Sequence, residues 1–233
     1  MRISSRRFLP SKQVYEFKLA SGEKLWLRPD DAAALEGDEV AAERLPALIA
    51  TSEYLHARDY ALRLLGRREY FQRELKDRLF KKGFGGRTVG RVMAELAEEG
   101  YQSDDRAART LVSEKVSRGG VGPLKLLSLL MQKGYDKARA RRLIDELLPT
   151  DFQQEQMRKF VSRRGKVYRE QMARELTKLL ADEGKRKKLG GESGVRFRLR
   201  NKYRAKIYAR VRAAGFGSEI ATQAAKEIIR AEE

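Results

Sequence analysis

A glycine followed by an aromatic residue occurs three times in this chain with matching neighbours, in "KKGFGGRTVGRVMAEL", "QKGYDKARARRLIDEL" and "AAGFGSEIATQAAKEI". When Gly83, Gly134 and Gly215 are aligned, apolar residues recur four and eight positions before the glycine and thirteen positions after it. An apolar stripe that repeats in register on both sides of a glycine is typical of a structural repeat. The pattern predicts that most of the chain consists of three copies of one structural repeat.

Each glycine-aromatic pair predicts a tight corner between two helices. Glycine adopts the left-handed conformation that ends a helix without a side-chain penalty, and the aromatic can fold back onto the helix that has just ended. A further helix precedes each corner, over Ala57–Arg67, Asp104–Ser117 and Phe152–Arg163. Each unit is therefore predicted to be three helices in a helix-turn-helix-like arrangement. The corner residues are Gly83, Phe84, Gly134, Tyr135, Gly215 and Phe216.

The repeats divide the chain into four predicted domains. Residues 1–55 form an N-terminal region of a β-hairpin and short helices, residues 56–102 and 103–150 form the first two repeats, and residues 151–233 form the third. The third repeat is longer than the others, because it contains an insertion around residues 172–200.

The insertion combines three kinds of local pattern. "QMARELTKLLADEG" predicts a helix, and "GKRKKLGGESG" predicts a basic glycine-rich linker. Apolar residues then alternate with arginines from Val195 to Leu199, which suits a short strand, whereas Tyr203, Ile207 and Val211 recur every four residues, which suits a helix. The pattern does not fix the residue at which the strand ends and the helix begins.

In the N-terminal region, "QVYEFKLASGEKLWLRP" predicts a β-hairpin, because apolar and charged residues alternate on both sides of a Ser21-Gly22 turn. Short helices are expected around residues 32–35 and through Leu45 and Ile49. The opening "MRISSRRFLPSK" contains a pair of arginines, as twin-arginine export signals do, but no apolar stretch follows it. We interpret this segment as a basic tail and expect a cytoplasmic protein.

The charge of the chain is strongly positive and unevenly distributed. The formal net charge is +18, from 51 basic and 33 acidic side chains. Residues 1–55 have a net charge of −1, the next two segments have +4 each, and residues 151–233 have +11. Such an excess predicts a polyanion, or a protein already bound to one, as a partner.

No enzymatic site is predicted. The chain has no cysteine, which excludes disulfides and thiolate chemistry, and it has a single histidine, His56. It contains no phosphate-binding loop with the required lysine. The acidic pairs Glu98-Glu99 and Asp104-Asp105 are interpreted as a solvated helix end and an N-terminal helix turn rather than metal ligands. We therefore expect a non-enzymatic protein without cofactor or metal.

Clusters of basic residues are the candidate binding residues. The densest lies within the insertion and just after it, where Phe197 and Tyr203 are interleaved and could either stack on bases or belong to the core. The candidates are Lys81, Lys82, Arg87, Lys185, Arg186, Lys187, Lys188, Arg196, Arg198, Arg200, Lys202, Arg204 and Lys206.

Four stretches in this order resemble the RecX family of bacterial regulators of the RecA recombinase. They are "YALRLLGRREYFQRELKDRLFKKGF", "LAEEGYQSDDRAARTLVSEKV", "GPLKLLSLLMQKGY" and "IYARVRAAGF", and the resemblance covers roughly residues 56–233. The chain departs from the family pattern in two places. Glu69-Tyr70-Phe71 stands where the second helix of the first repeat usually has a serine cap, and the third repeat carries the insertion.

The resemblance implies a mainly α fold of tandem three-helix repeats in an elongated, curved array. It also implies a cytoplasmic monomer that binds RecA, its nucleoprotein filament, and single- and double-stranded DNA, without a membrane. Its implied role is to inhibit the ATPase, strand-exchange and coprotease activities of RecA in DNA repair, homologous recombination and the SOS response. The residues themselves also allow an alternative, a general DNA- or RNA-binding protein that uses its helix-turn-helix-like repeats directly.

Overall fold

The computed structural model describes residues 1–33, 35 and 39–230. Three strands precede a series of helices, and the fold is mainly α with a small N-terminal sheet, as predicted. The strands are β1 (Ile3–Leu9), β2 (Val14–Leu19) and β3 (Lys24–Leu27). The helices are α1 (Pro29–Ala33), α2 (Leu45–Leu65), α3 (Gln72–Lys81), α4 (Gly86–Glu98), α5 (Asp104–Arg118), α6 (Pro123–Gln132), α7 (Lys137–Leu147), α8 (Thr150–Ala181), α9 (Glu183–Lys188), α10 (Gly191–Ala213) and α11 (Ser218–Arg230). The chain forms two compact units, Met1–Ala107 and Ala108–Glu233, so that α5 begins in the first and ends in the second.

The N-terminal sheet is antiparallel with the strand order β1-β2-β3. The predicted hairpin is confirmed as β2 and β3, and Gly22 in its turn has a φ of 91°. The interpretation of the opening segment as a tail was wrong, because Ile3–Leu9 is a paired strand. Only Ile3 of this strand is buried, so the strand lacks the alternation by which a half-buried strand is recognised.

The sheet packs against the first repeat through α2. Val14 and Trp26 belong to the same apolar cluster as α2, α3 and α4, and the backbone N–H of Trp26 donates to the buried Ser52 hydroxyl at 2.8 Å. The two helices expected through Leu45 and over Ala57–Arg67 are one continuous helix, α2, which crosses the boundary expected at residues 55 and 56. The short helix expected around residues 32–35 begins earlier, at Pro29, and residue 34 lies outside the described residues.

The helices of the three repeats are α2-α3-α4, α5-α6-α7 and α8-α10-α11, with α9 between the first two helices of the last repeat. The second repeat approaches the third closely at two glycines. The Gly122 N–H donates to the Ala214 carbonyl at 2.8 Å, and the Leu124 N–H donates to the Gly215 carbonyl at 3.0 Å. A Cβ added at either glycine would overlap the backbone of the other repeat, so both positions require glycine for close approach.

The insertion consists of helices joined by short turns, which corrects three sequence predictions. The helices predicted over Phe152–Arg163 and within "QMARELTKLLADEG" are one helix, α8. The basic segment predicted as a linker forms α9, and the strand predicted from Val195 to Leu199 is part of α10. Gly190 and Gly191 have positive φ values and turn the chain between α9 and α10. The insertion therefore lengthens the first two helices of the third repeat into an antiparallel hairpin.

A continuous apolar contact holds this hairpin together. Met172 of α8 lies in the same buried cluster as Val195 and Leu199 of α10, with Leu176 and Leu180 packed at its edge. Glu175 adds polar contacts, since its carboxylate accepts from the Lys202 ammonium at 2.5 Å and from the Tyr203 hydroxyl at 3.1 Å. The hairpin is thus an extension of the core rather than a loop.

None of the described helices is both long and apolar enough to cross a lipid bilayer.

Candidate functional site

The three predicted corners have the same backbone geometry. Gly83, Gly134 and Gly215 have φ values of 98°, 85° and 93°. In each corner the N–H of the following aromatic donates to the carbonyl five residues earlier, at 3.3 Å in the first, 3.1 Å in the second and 3.4 Å in the third. This is the six-to-one hydrogen bond of a glycine-terminated helix. Tyr135 and Phe216 are buried, and Phe84 packs at the edge of the first core, so the aromatic of each corner contacts a core.

The basic residues of the first corner lie on the surface of the first unit. Lys81, Lys82 and Arg87 are all exposed. The start of α4 beside them is held by Glu53 of α2, whose carboxylate accepts from the Gly85 N–H at 2.6 Å and from the Thr88 hydroxyl at 2.9 Å. A carboxylate at a helix N-terminus satisfies unpaired N–H groups there. This cap was not predicted, because 32 residues separate Glu53 from Gly85.

A second long-range cap replaces the serine that the first repeat lacks. The Asp104 carboxylate accepts from the Gln72 N–H at the start of α3 at 2.7 Å, and from the side-chain amide of the buried Gln102 at 2.8 Å. The same amide donates to the Tyr70 carbonyl at 3.1 Å. The Asp104 carboxylate therefore joins the start of α3 to the Gln102 side chain, and its role is structural.

The basic residues of α9 are partly neutralised by local partners. The Lys185 ammonium lies 2.8 Å from the Asp182 carboxylate, which also accepts from the Lys185 N–H and so caps the helix. This hydrogen-bonded pairing lowers the pKa of Asp182 and raises that of Lys185. Lys187 lies 3.2 Å from Glu183. Two of the four candidate cations in this helix therefore have an acidic neighbour within one turn.

The other six candidates of the second unit all lie on α10, which presents a basic surface about 26 Å long over residues 196–213. This stretch contains no acidic residue. Its buried positions recur every four residues, and residues four apart share a helix face. The buried residues are Val195, Leu199, Tyr203, Ile207 and Val211.

The same four-residue spacing arranges the exposed residues of α10 into three parallel rows, which wind together around the helix by about 40° per step. We call them the first basic row, the middle row and the second basic row. The first basic row is Arg196, Arg200, Arg204 and Arg212, with Tyr208 between the last two. The second basic row is Arg198, Lys202, Lys206 and Arg210. The middle row, opposite the buried face, is Phe197, Asn201, Ala205, Ala209 and Ala213.

Arg210 and Arg212 are not among the residues predicted from the sequence, although both continue the same four-residue spacing. The two aromatic candidates have different positions. Phe197 is 66% exposed, whereas Tyr203 is 4% exposed and belongs to the core. Of these two rings, Phe197 is the one that solvent or a ligand can reach.

Several α10 cations have local partners. Arg196 lies 2.7 Å from Glu192 in a pair four residues apart, Lys202 is held by Glu175, and the Arg212 guanidinium donates to the Phe216 carbonyl at 2.9 Å. Within the described part of the chain, no carboxylate lies within ion-pair distance of Arg198 or Arg204. The face therefore retains a large uncompensated positive charge.

His56 is half-buried and stacks on Trp26 with ring centroids 3.8 Å apart. Burial lowers the pKa of His56 below its ordinary value, with the nearby Lys12 ammonium acting in the same direction. These contacts give the histidine a packing role. Among the described residues, no group of histidine, aspartate and glutamate side chains is arranged to hold a metal ion.

Comparison with known proteins identifies one family. Residues 57–96, which contain the end of α2, all of α3 and most of α4, match the family model for the first three-helix domain of RecX. The regulatory protein RecX of Caldanaerobacter subterraneus subsp. tengcongensis is 26% identical over 135 residues, which cover 58% of this chain and 68% of the relative. The regulatory protein RecX of Halorhodospira halophila is 42% identical over 91 residues, which cover 39% of this chain and 53% of the relative.

These matches span about half to two thirds of the relatives' lengths. A crystal structure of a regulatory protein RecX is similar over 99% of this chain and 98% of its own, with a TM-score of 0.63 and 17% sequence identity. That likeness extends the shared fold to the insertion-bearing third repeat. The corners, the capped three-helix repeat and the sequence matches agree, and the chain is similar to RecX proteins in its first three-helix domain and in its fold.

Proposed function

We propose that this protein is a non-enzymatic regulator that binds the RecA recombinase and RecA–DNA filaments and inhibits the ATPase, strand-exchange and coprotease activities of RecA. The observation that carries the proposal is the similarity of residues 57–96 to the first three-helix domain of RecX. RecA as the partner follows from the family resemblance.

The repeated architecture supports a repeating target. Each repeat ends its second helix at the same kind of glycine corner, so the same backbone geometry recurs along the chain. Repeats of this kind can contact successive copies of a protein in a filament, and linking the contacts raises the effective concentration of each. The excess of basic residues suits a target that also contains DNA.

The alternative, a general DNA- or RNA-binding protein, is favoured by the basic face of α10. The third helices of the repeats do not favour sequence reading by that alternative. Across α4, α7 and α11, Gln223 is the one side-chain amide, and amides are among the groups that read base edges in a groove. A DNA-binding role without RecA would therefore depend on electrostatic attraction to the phosphates rather than on recognition of bases.

The test is ATP hydrolysis by the RecA protein of the same organism on single-stranded DNA, with increasing amounts of this protein. The DNA is kept in large excess over this protein, so that masking of DNA cannot account for a slower rate. We expect hydrolysis to slow well below one molecule per RecA if filament growth is blocked, and only near equal amounts if the protein lines the filament. Unchanged hydrolysis at every ratio would contradict the proposal and favour the alternative.

A further inference from the structure

We propose that a groove between α8 and α10 binds a nucleoside di- or triphosphate, with the phosphates at one end and the base at the other. This goes beyond the proposed regulation of RecA, because the ligand is a small molecule and the groove needs no second protein. The observation that carries it is a pair of adjoining cavities in the second unit, of about 280 Å³ and about 500 Å³, which share Arg164, Arg210 and Ala213.

We call the smaller cavity the arginine end and the larger one the wide end. Besides the shared residues, Phe160 and Arg163 of α8 and the Gly119-Gly120 turn line the arginine end. The wide end is lined by Val167, Tyr168, Gln171, Lys206 and Ala209. Along α8 the lining residues extend from Phe160 to Gln171, which is about 17 Å of helix, so the groove fits an elongated ligand.

Hydrogen bonds fix the wall of the arginine end. The Gly120 N–H donates to the Oε1 of the fully buried Gln156 at 3.1 Å, which holds the turn between α5 and α6 against α8. The Arg163 guanidinium donates to the Arg118 carbonyl at 2.5 Å, and a Cβ added at Gly119 would lie 3.6 Å from that guanidinium. The turn therefore positions Arg163 and leaves room for its side chain.

Arg163, Arg164 and Arg210 concentrate uncompensated positive charge at this end. No acidic residue among those that the structure describes lines either end of the groove. Within the same residues, no carboxylate lies within ion-pair distance of the three guanidinium groups, and the side chains of Arg164 and Arg210 donate no hydrogen bond. Guanidinium groups bind phosphate oxygens in pairs with matching geometry. Since linked phosphates bring several negative charges close together, the arginine end fits a di- or triphosphate chain.

The wide end suits the base and the sugar of a nucleotide. Val167 is 44% exposed, Tyr168 is half-buried, and Ala209 on α10 is small, so a flat ring has room against an apolar wall. The Gln171 side chain accepts from the Lys206 ammonium at 3.1 Å, and both can form hydrogen bonds with a base edge or a sugar hydroxyl. Small-molecule sites combine apolar walls with a few polar groups in this way.

Two related ligands match the groove less well. Inorganic triphosphate would occupy the arginine end but leave the wide end without contacts. In a nucleic acid strand a sugar separates consecutive phosphates, so a cavity of about 280 Å³ would receive a single phosphate and use only part of its positive charge. A nucleoside di- or triphosphate uses both ends of the groove at once.

The experiment is isothermal titration calorimetry of the full chain with ATP, inorganic triphosphate, adenosine and a short single-stranded DNA, at about 0.1 M salt and without magnesium or RecA. Arg164→Gln with Arg210→Gln removes two cations from the arginine end. The matched control, Arg158→Gln with Arg204→Gln, removes one exposed arginine from each of the same two helices outside the groove.

A second variant tests the wide end separately. Ala209→Phe places a large side chain there, and Ala205→Phe, one turn away on α10 and outside the groove, is its control. Circular dichroism checks that each variant is folded. All the changed residues are exposed, so we expect the fold to tolerate them.

We expect wild type to bind ATP more tightly than inorganic triphosphate, and adenosine more weakly than both. The double arginine variant should lose about tenfold in affinity for ATP and for triphosphate, because charge-assisted hydrogen bonds are lost. Ala209→Phe should weaken the binding of ATP but not that of triphosphate. Both controls should bind like the wild type.

Several results would overturn the proposal: no binding of ATP, triphosphate binding as tight as that of ATP, unchanged ATP binding in the double arginine variant, or an equal loss in a control. A loss of DNA affinity in the double arginine variant as large as its loss for ATP would also overturn it, because the arginines would then belong to a DNA-binding surface. Because RecA is absent from every measurement, failure here would leave the proposed regulation of RecA standing.

Discussion

Gly83 and Gly215 occupy equivalent corners but have different surroundings. Both have a positive φ, in which a residue with a side chain is strained. A Cβ added at Gly83 would meet nothing within 4 Å, whereas one added at Gly215 would overlap the backbone at Lys125. The repeated glycine thus has one shared role, at the end of a helix, and one additional role in the third repeat, where α6 approaches.

We expect Gly83→Ala to lower the free energy of unfolding by roughly 1–2 kcal/mol, because it adds only the strain of a left-handed alanine. Gly215→Ala should cost more, since α6 must also move away from the corner. Chemical denaturation of both variants beside the wild type measures the difference. Equal losses, or a smaller loss at Gly215, would show that the close approach of the two repeats contributes nothing to stability.

The corners could be predicted from the sequence because every determinant is local: a glycine, an aromatic and an apolar stripe within about twenty residues. The caps at Glu53 and Asp104 could not, since each carboxylate reaches a helix start 32 residues away in sequence. The cluster of candidate basic residues could be located from the sequence. Its arrangement could not, because the residues form rows only when the segment is helical, and the start of the segment has the alternation of a strand.

Among the helices, the hairpin of α8 and α10 shows how a local pattern can mislead. Arginines at every second position from residue 196 to 200 imitate the alternation of a strand. The longer pattern, with buried residues every four positions from Val195 to Val211, is that of a helix and agrees with the structure. Gly165 lies inside α8, where an added Cβ would come 3.5 Å from the Ile228 side chain of α11.

The contact of Glu175 with Lys202 predicts an acid-sensitive hairpin. The hydrogen bond from Lys202, helped by that from Tyr203, lowers the pKa of Glu175. A glutamate whose pKa is lowered in the folded state stabilises the fold above its unfolded pKa, and this stabilisation is lost as the pH falls through the folded pKa.

We therefore expect Glu175→Gln to melt at a lower temperature than the wild type at pH 7, and the gap to narrow as the pH falls below about 4. Glu170→Gln, an exposed change on the same helix, serves as the control and should match the wild type throughout. Thermal melts followed by circular dichroism give both comparisons. A gap that stays constant down to pH 3 would mean that ionised Glu175 does not stabilise the hairpin.

The whole molecule combines two compact units with unequal charge, and the third repeat carries most of the excess. The fold class could be predicted from the sequence because the same helical pattern occurs in it three times. The partner could not be predicted from composition, since a net charge of +18 suits any polyanion. The family resemblance supplies RecA, and this step is the central claim.

Binding to three targets measured side by side tests that claim most directly: RecA filaments assembled on single-stranded DNA with a slowly hydrolysed ATP analogue, the same DNA without RecA, and RecA without DNA. The labelled full chain is titrated against each at physiological salt. We predict that it binds the filament more tightly than the naked DNA, because only the filament offers successive RecA protomers together with DNA. Binding to naked DNA as tight as to the filament would contradict the claim, and so would an absence of binding to the filament.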